Sequence, residues 1–205
     1  FNHKKGWVMK KSIFLIIPLL LTLFSTVNSQ ATVDTPDIGF DPATQSVALG
    51  DPANVNLYFS QVTDIFTLGT FDLDISFDPT ILSFSGVTFG DPILGDQLDI
   101  WGLGSITSFD DSIPGVVNLF ELSLDDPLDL EDFQADSFIL ATLTFDTLVT
   151  GTSPLGLSVN GLGDAMGDPL PADLVNGNIN VVSVPEPATL ILLGSGLVGI
   201  GLIRR

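Results

Sequence analysis

The chain contains no cysteine among its 205 residues. This absence excludes disulfide bonds, thiolate zinc sites and cysteine nucleophiles together. A domain without disulfides has to be stabilised by its own hydrophobic core, and the middle of the chain is rich in Phe, Leu, Ile and Val. The length leaves room for one ordinary domain with signals at its two ends.

Basic residues are missing from the whole middle of the chain. The only histidine is His3, and the six Lys and Arg residues are Lys4, Lys5, Lys10, Lys11, Arg204 and Arg205. All 25 acidic residues lie between Asp34 and Glu186, so residues 32–187 carry a formal charge of −25. Such a surface repels nucleic acid, because binding phosphate depends on Lys and Arg. We therefore expect that nucleic acid is not a partner.

The same absences exclude most catalytic chemistry. Ser-His-Asp and Cys-His catalysis need an imidazole base, and Schiff-base chemistry needs Lys. Carboxylate pairs remain, and Asp72 and Asp74 would lie about 6.5–7 Å apart along one strand, a separation that suits a glycosidase. Polar residues on the solvent face of a strand give the same pattern, and we favour that interpretation. The sequence therefore predicts that the protein is not an enzyme.

Residues 1–31 have the organisation of a secretory signal peptide preceded by a few upstream residues. Met9 is the predicted start, and two lysines and the apolar run 13–24 follow it. Ser29 and Ala31 place small side chains at positions −3 and −1 of a predicted cleavage after Ala31. A transmembrane anchor is the alternative, but the apolar run has only about half of the ~20 residues that span a bilayer.

An uncharged apolar segment, 188–203, lies near the C-terminal end of the sequence. The residues that flank it are Pro185, Glu186, Pro187, Arg204 and Arg205. As a helix it is about 24 Å long, shorter than the ~30 Å hydrocarbon core, and snorkelling arginines can absorb that mismatch. The terminal arginines favour the cytoplasmic side, which places the domain outside. We predict a transmembrane helix over 188–203. A buried core element is the alternative, and the two arginines disfavour it.

The tail 184–205 resembles the PEP-CTERM sorting signal, in which a Pro-Glu-Pro motif, an apolar helix and closing arginines occur in this order. The resemblance implies that an exosortase-type membrane enzyme recognises the motif and cuts near it. The protein is then released or transferred to the envelope or to extracellular polysaccharide. The C-terminal helix would anchor it in the inner membrane only before processing. We expect an exported protein of the cell envelope or the extracellular space.

Between the two signals, residues 32–183 have the pattern of an all-β domain. Apolar and polar residues alternate over 71–78, a period of two with one solvent-exposed face. The predicted strands are 45–49, 54–59, 71–78, 82–89, 98–106, 116–124, 139–146, 155–159 and 178–182. Six Asp-Pro and two Asn-Gly pairs supply turns between them. About nine short strands predict a single antiparallel β-sandwich.

Two of these strands carry more specific expectations. In 139–146 the alternation places Ile139, Ala141 and Leu143 on the face toward the core. In 116–124 the carboxyl of Glu121 interrupts an apolar segment, and burial there would raise its pKa. We expect Glu121 to face outward instead.

The domain resembles the cohesin family in three segments taken in order. In 71–84 an alternating strand ends in a Phe-Asp-Pro turn and a leucine-rich strand follows. Residues 138–147 resemble a later strand of that family, and 176–181 its closing Asn-Gly strand. The resemblance implies a nine-stranded jelly-roll sandwich related to carbohydrate-binding modules. Cohesins bind dockerin partners through one sheet face, but the choice of partner depends on surface residues that the resemblance does not align.

A stretch dense in carboxylates is the candidate calcium site. Its acidic residues are Asp125, Asp126, Asp129, Glu131 and Asp132. Carboxylate oxygens are the hard ligands that Ca²⁺ prefers, although the stretch lacks the EF-hand pattern. A solvated loop that keeps an exported protein soluble is the alternative that we favour. The sequence therefore requires no cofactor and leaves calcium as the open alternative.

Trp101 and Asp99 form the candidate sugar-binding pair. Trp101 is the only Trp and Tyr58 the only Tyr in residues 32–183. An aromatic face can stack on a sugar, and the neighbouring carboxylate of Asp99 can bond sugar hydroxyls. A lone Trp more commonly belongs to a core, and we favour that placement for Trp101.

Two functional hypotheses follow from these patterns. The main hypothesis is an exported, non-enzymatic interaction module of the envelope or extracellular matrix, which binds a protein partner through a sheet face. The alternative is a carbohydrate-binding module for extracellular polysaccharide.

Overall fold

The structure is a computed structural model that describes residues 35–60 and 67–184. These residues form eleven strands and one short helix. The elements are β1 (Asp37–Asp41), β2 (Thr44–Ala48), β3 (Ala53–Ser60), β4 (Leu68–Ser76), β5 (Leu82–Phe89), β6 (Ile106–Asp110), β7 (Val116–Leu122), α1 (Pro127–Phe133), β8 (Ser137–Thr147), β9 (Gly151–Asp164), β10 (Asp173–Val175) and β11 (Gly177–Val182).

The strands form two sheets, which confirms the predicted β-sandwich. Sheet 1 has the order β10-β1-β3-β8-β5, and sheet 2 has the order β2-β11-β9-β4-β7-β6. Apolar side chains from both sheets form one core, in which Leu57 of β3, Leu73 of β4 and Phe145 of β8 are all 0% exposed. Burying a side chain of this kind contributes roughly 1.5–3 kcal/mol relative to exposure. The core therefore stabilises this cysteine-free domain.

The predicted antiparallel pairing does not hold at the two ends of the domain. β1 pairs in parallel with β10, and β2 pairs in parallel with β11. The N-terminal segment passes from β1 in sheet 1 to β2 in sheet 2, with a break at Pro42. The C-terminal segment passes in the same way from β10 to β11, with a break at Asn176. The two segments therefore run side by side in the same direction. Proline cannot donate to a strand ladder, which favours a break at that position. Dividing the terminal segments also raises the number of strands above the predicted nine.

The prediction of which β8 residues face the core is wrong at the start of the strand. Phe138 and Leu140 are buried in the core, and Ile139 between them is only partly buried. A bulge in the pairing with β3 causes the change, because Leu57 lies opposite Ala141 but the next residue of β3 lies opposite Ile139. One extra residue reverses which face of the strand points inward.

Segment 98–106, predicted as a strand, is a series of turns, and β6 begins only at Ile106. The side chain of Asp99 builds one turn, since its Oδ1 accepts a hydrogen bond from the Gly104 backbone N–H at 2.9 Å. Side-chain acceptors of this kind compete with strand pairing. Gly102 and Gly104 have positive φ, a conformation that interrupts an extended chain.

The seven-residue helix α1 is an element that the sequence pattern does not predict. Asp126 caps it by accepting a hydrogen bond from the Leu128 backbone N–H at 3.0 Å, and Pro127 lies in its first turn. Leu130 is its only buried residue. Two turns with one buried side chain are too short to show an apolar period.

Two predicted segments lie outside the described residues. They are the signal peptide at 1–31, with Ser29 and Ala31, and the transmembrane helix at 188–203. Across 35–60 and 67–184, no helix is both long and apolar enough to cross a membrane. The signal peptide and the C-terminal membrane helix stay predictions.

Candidate functional site

The outer face of sheet 2 carries the two aspartates that the alternation of β4 predicted to be exposed. Asp72 and Asp74 alternate with fully buried Leu73 and lie on the outer side of the sheet. The pairing of β4 with β7 places Asp72 opposite Phe120 and Asp74 opposite Asn118. We name this surface the acidic face and define it as Thr70, Asp72, Asp74, Asn118, Phe120, Gly161 and Gly163.

A single amide fixes both carboxylates of the acidic face. Asn118 Nδ2 donates hydrogen bonds to Asp72 Oδ1 at 2.6 Å and to Asp74 Oδ1 at 2.8 Å. Asn160 Nδ2 donates a third hydrogen bond to Asp72 Oδ1 at 3.2 Å. Among the described residues, no donor reaches the Oδ2 atom of either aspartate. Both carboxylates are therefore oriented and keep an oxygen that can accept from outside.

A groove of about 330 Å³ lies beside Asp72 on this face. Phe120 of β7 and Gly161 and Gly163 of β9 line it from the two strands that flank β4. A Cβ atom at Gly163 would lie only 2.9 Å from Thr70 Cγ2, so glycine lets the two strands pair without a clash. The groove thus places an aromatic ring, a carboxylate and glycine backbone side by side.

The outer face of sheet 1 has a different chemistry. Thr144 Oγ1 donates to Asn54 Oδ1 at 2.9 Å, and Thr142 Oγ1 donates to Asn56 Oδ1 at 2.9 Å. These neutral side chains form hydrogen-bonded pairs across β3 and β8. Of the two sheet surfaces, the acidic face therefore offers the stronger site for a ligand with hydrogen-bond donors.

Glu121 is fully buried, which corrects the prediction that it faces outward. Val117 and Leu119 are buried on the same strand at the same period of two. The alternation of buried residues along β7 is the sequence signal that places Glu121 inward. A carboxyl group by itself favours an exposed position. Segment 96–105, which connects to β6, supplies the hydroxyl that contacts its carboxyl.

Burial raises the pKa of Glu121 to about 8. The hydrogen bond that Ser105 Oγ donates to Glu121 Oε1, at 2.7 Å, acts in the opposite direction, and the nearby Asp96 and Asp99 carboxylates raise the pKa further. Glu121 Oε2 has no hydrogen-bond partner among the described residues. A carboxyl in this setting is neutral at neutral pH.

The five carboxylates predicted as a calcium site are not brought together. Asp125 is buried, and its Oδ2 accepts a hydrogen bond from the Ile100 backbone N–H at 2.7 Å, while Asp126 caps α1. The other three lie along the helix, at Asp129, Glu131 and Asp132. In the part of the chain that the structure describes, no group of three Asp, Glu or His side chains converges to hold a metal ion.

Trp101 is 53% exposed, so the expectation that it belongs to the core is wrong. Its ring meets that of Phe133 edge to face, with the centroids 5.4 Å apart, and Phe133 is 56% exposed. Asp99 lies two residues before Trp101, and its carboxylate is engaged by the Gly104 backbone N–H. The two rings therefore form an exposed aromatic patch beside α1.

The family model of the PEP-CTERM protein-sorting motif matches residues 183–205. Every residue of the predicted signal lies within that match, namely Pro185, Glu186, Pro187, Arg204 and Arg205. The resemblance of the tail to this sorting signal is thereby confirmed, and the motif indicates export to the cell envelope. No curated protein is similar enough to the chain to count as a match.

Solved cohesin structures share the fold of the sandwich. The chain is similar to the seventh ScaB type I cohesin of Pseudobacteroides cellulosolvens, at 18% identity and a TM-score of 0.58 over 75% of this chain and 96% of the other. A chain from a type I cohesin–dockerin complex of Clostridium thermocellum has 16% identity and a TM-score of 0.57, over 73% of this chain and 100% of the other. A non-cellulosomal cohesin of Archaeoglobus fulgidus has 15% identity and a TM-score of 0.54, over 73% of this chain and 92% of the other. The domain is therefore a cohesin-like β-sandwich.

Glu121→Gln is expected to change how stability depends on pH. The pKa of Glu121 is about 8 in the folded protein, against an ordinary value of 4.5. Its contribution to stability is therefore fully present below the lower value and is lost as the pH rises through about 8. Glutamine stays neutral, so the variant should gain on the order of a few kcal/mol relative to the wild type between about pH 5 and pH 9.

Urea unfolding of both proteins across this pH range, in metal-free buffer, measures the difference. No His or Cys of residues 32–187 titrates there, because the segment has none. Glu131→Gln is the matched control, since Glu131 is exposed on α1, and its profile should follow that of the wild type. A slope that persists in Glu121→Gln would contradict the assignment.

Proposed function

We propose that the chain is an exported, non-enzymatic interaction module of the cell envelope or extracellular matrix. The match to the sorting motif at 183–205 is the observation that supports it most strongly. An exosortase-type enzyme would process the C-terminal signal after the apolar helix has held the protein in the inner membrane. Since all Lys and Arg lie outside 32–187, processing at both ends would leave a purely acidic sandwich.

The chemistry of the acidic face supports a protein partner. The carboxylates of Asp72 and Asp74, held by Asn118, can accept charge-assisted hydrogen bonds from Lys, Arg or hydroxyl groups. The groove beside Phe120 can receive an apolar side chain, which is the kind of pocket that anchors an interface. Cohesins of the same fold have been solved in complex with dockerins, which favours a protein over a small molecule.

The charge of the domain restricts the kind of partner. Every charged side chain in residues 35–184 is acidic, so the domain attracts cationic surfaces and repels copies of itself. We propose a partner whose docking surface carries Lys or Arg around an apolar side chain. Association with such a partner is steered by charge and weakens as the salt concentration rises.

The positions of the carboxylates support a non-enzymatic role. Asp72 and Asp74 project side by side from a sheet surface and share one amide donor, whereas a glycosidase places its two carboxyls on either side of the scissile bond. Glu121, the carboxyl whose pKa is raised, is 0% exposed and out of reach of a substrate.

A carbohydrate-binding module is the second candidate, and the exposure of Trp101 favours it. Trp101 and Phe133, the last residue of α1, present two aromatic rings to solvent. Aromatic faces of this kind contact the apolar faces of sugars, and Asp99 lies close by in sequence. The extracellular polysaccharide to which sorting signals of this type deliver proteins would be the ligand.

Mass spectrometry of the exported protein tests the processing step. We expect the intact mass of protein recovered from the envelope and medium to correspond to a C-terminus near 185–187. Replacing the motif by Pro185→Ala and Glu186→Ala together should leave the tail attached, because the enzyme no longer recognises it. A mature wild-type protein that still ends at Arg205 would contradict processing.

Charge-neutral variants of the acidic face test the interaction. The double variant Asp72→Asn, Asp74→Asn should weaken capture of an envelope partner by at least about tenfold, because two charge-assisted acceptors are lost. Binding of the partner identified with the wild type is measured by biolayer interferometry at low and high salt.

The matched control for this series is Asp146→Asn. Asp146 is exposed on β8 of sheet 1, so this variant removes a charge without touching the acidic face and should bind like the wild type. Equal affinity of the double variant and the wild type would exclude the acidic face as the docking surface.

Trp101→Ala separates the two candidate functions. If the protein binds polysaccharide through the aromatic patch, a glycan array should show a loss of binding of roughly tenfold or more, because stacking area is removed. The double variant of the acidic face should bind the same glycans as the wild type. Absence of any glycan signal with the wild type would leave the protein-interaction proposal as the surviving one.

A further inference from the structure

The domain buries a carboxyl for which its own sequence offers no cationic partner. Glu121 is 0% exposed, and its Oε2 atom has no hydrogen-bond partner among the described residues. Residues 32–187 contain no Lys, Arg or His, so an ion pair within the domain cannot neutralise it. A buried carboxyl of this kind is stable either as the neutral acid or in contact with a bound cation.

Further oxygen ligands converge on Glu121 from segment 96–105. The Asp96 carboxyl lies within hydrogen-bonding reach of the Glu121 carboxyl. Ser105 Oγ lies 2.7 Å from Glu121 Oε1 and 3.5 Å from Asp96 Oδ2, so it sits between the two acids. Asp99 is close enough to add its negative charge to the same place.

The two aspartates of the segment are already oriented by backbone donors. Asp96 Oδ1 accepts a hydrogen bond from the Leu98 N–H at 2.9 Å, and Asp99 Oδ1 accepts one from the Gly104 N–H at 2.9 Å. In each case the backbone donor occupies Oδ1, and Asp96 Oδ2 lies 3.5 Å from Ser105 Oγ. The arrangement therefore holds two carboxylates toward a buried carboxyl, and a cation bound among them would offset their mutual repulsion.

We propose that Glu121, Asp96 and Ser105 form a calcium site, with Asp99 adding charge from the same segment. Carboxylate and hydroxyl oxygens suit Ca²⁺, which accepts irregular coordination completed by water, whereas Mg²⁺ demands near-octahedral geometry. Since no group of three acidic side chains converges in the described residues, the Ser105 hydroxyl and water would have to complete the coordination. A set with so few charged ligands belongs to the extracellular class, with a Kd on the order of 10⁻⁴–10⁻³ M.

Calcium titration of the full chain tests the site. Isothermal titration of chelator-treated wild-type protein should give saturable binding of one Ca²⁺ with a Kd on the order of 10⁻⁴–10⁻³ M. The midpoint of thermal unfolding should rise with Ca²⁺ at about 10 mM, and Mg²⁺ at the same concentration should raise it less.

Three variants decide whether the effect comes from this site. Glu121→Gln imitates the protonated acid and should fold, but Ca²⁺ should no longer raise its midpoint of thermal unfolding. Asp96→Asn should weaken calcium binding by at least about tenfold. Glu131→Gln, in the acidic stretch that includes α1, should behave like the wild type. A calcium response of equal size in Glu121→Gln and the wild type, or no response at about 10 mM in the wild type, would overturn the proposal.

Tb³⁺ luminescence gives an independent readout. The only Trp of residues 32–187 is Trp101, in the segment that supplies Asp96 and Ser105. Tb³⁺ bound at the proposed site should be excited through Trp101 and displaced by Ca²⁺. A signal that survives both Glu121→Gln and Asp96→Asn would place the ion elsewhere on the acidic surface and overturn the assignment.

Discussion

The whole domain has to accommodate its carboxylates without a single basic side chain. Hydrogen bonds from backbone and neutral side-chain donors replace the ion pairs that other proteins use. Asp78 Oδ1 accepts from both the N–H and the Oγ1 of Thr80, which lowers the pKa of Asp78. Asp91 accepts from three backbone N–H groups, those of Ile93, Leu94 and Ile139. The acidic residues therefore build turns as well as charge the surface.

This constraint separates the charged groups into three classes. Most aspartates lie at the surface or in turns, where water and N–H groups stabilise the anion. Asp72 and Asp74 are held by amide side chains on a sheet surface, which leaves them ready to accept from a partner. Glu121 is fully buried, and among the described acidic residues its pKa is the one that is strongly raised. Binding to proteins and binding to ions can therefore occur at different places on one acidic sandwich.

Much of the fold follows from local sequence patterns. The period of two in β4 predicts which side of sheet 2 carries Asp72 and Asp74, because alternation depends on neighbouring residues only. The same rule places Glu121 inward with Val117 and Leu119, although its charge suggests the opposite. Local pattern and residue type disagree there, and such disagreements mark sites with a special role.

Other features depend on contacts between distant parts of the chain. The bulge between β3 and β8 is set by the pairing of two strands, and no residue within β8 predicts it. The parallel pairing of Ile38 with Leu174 joins segments from the two ends of the domain. Trp101 is exposed because segment 98–106 forms turns, and a strand at that position would have supported its placement in the core.

The parallel pairing of the terminal strands has a mechanical consequence. β11 is the strand that leads toward the tail, and it lies between β2 and β9 in the interior of sheet 2. A pulling force applied along the chain beyond Val182 acts along β11, so its hydrogen bonds to both neighbours bear the load together instead of breaking one after another. The acidic face belongs to the same sheet. Tension between an anchored tail and a docked partner would thus pass through one continuous sheet, and the core would not have to open.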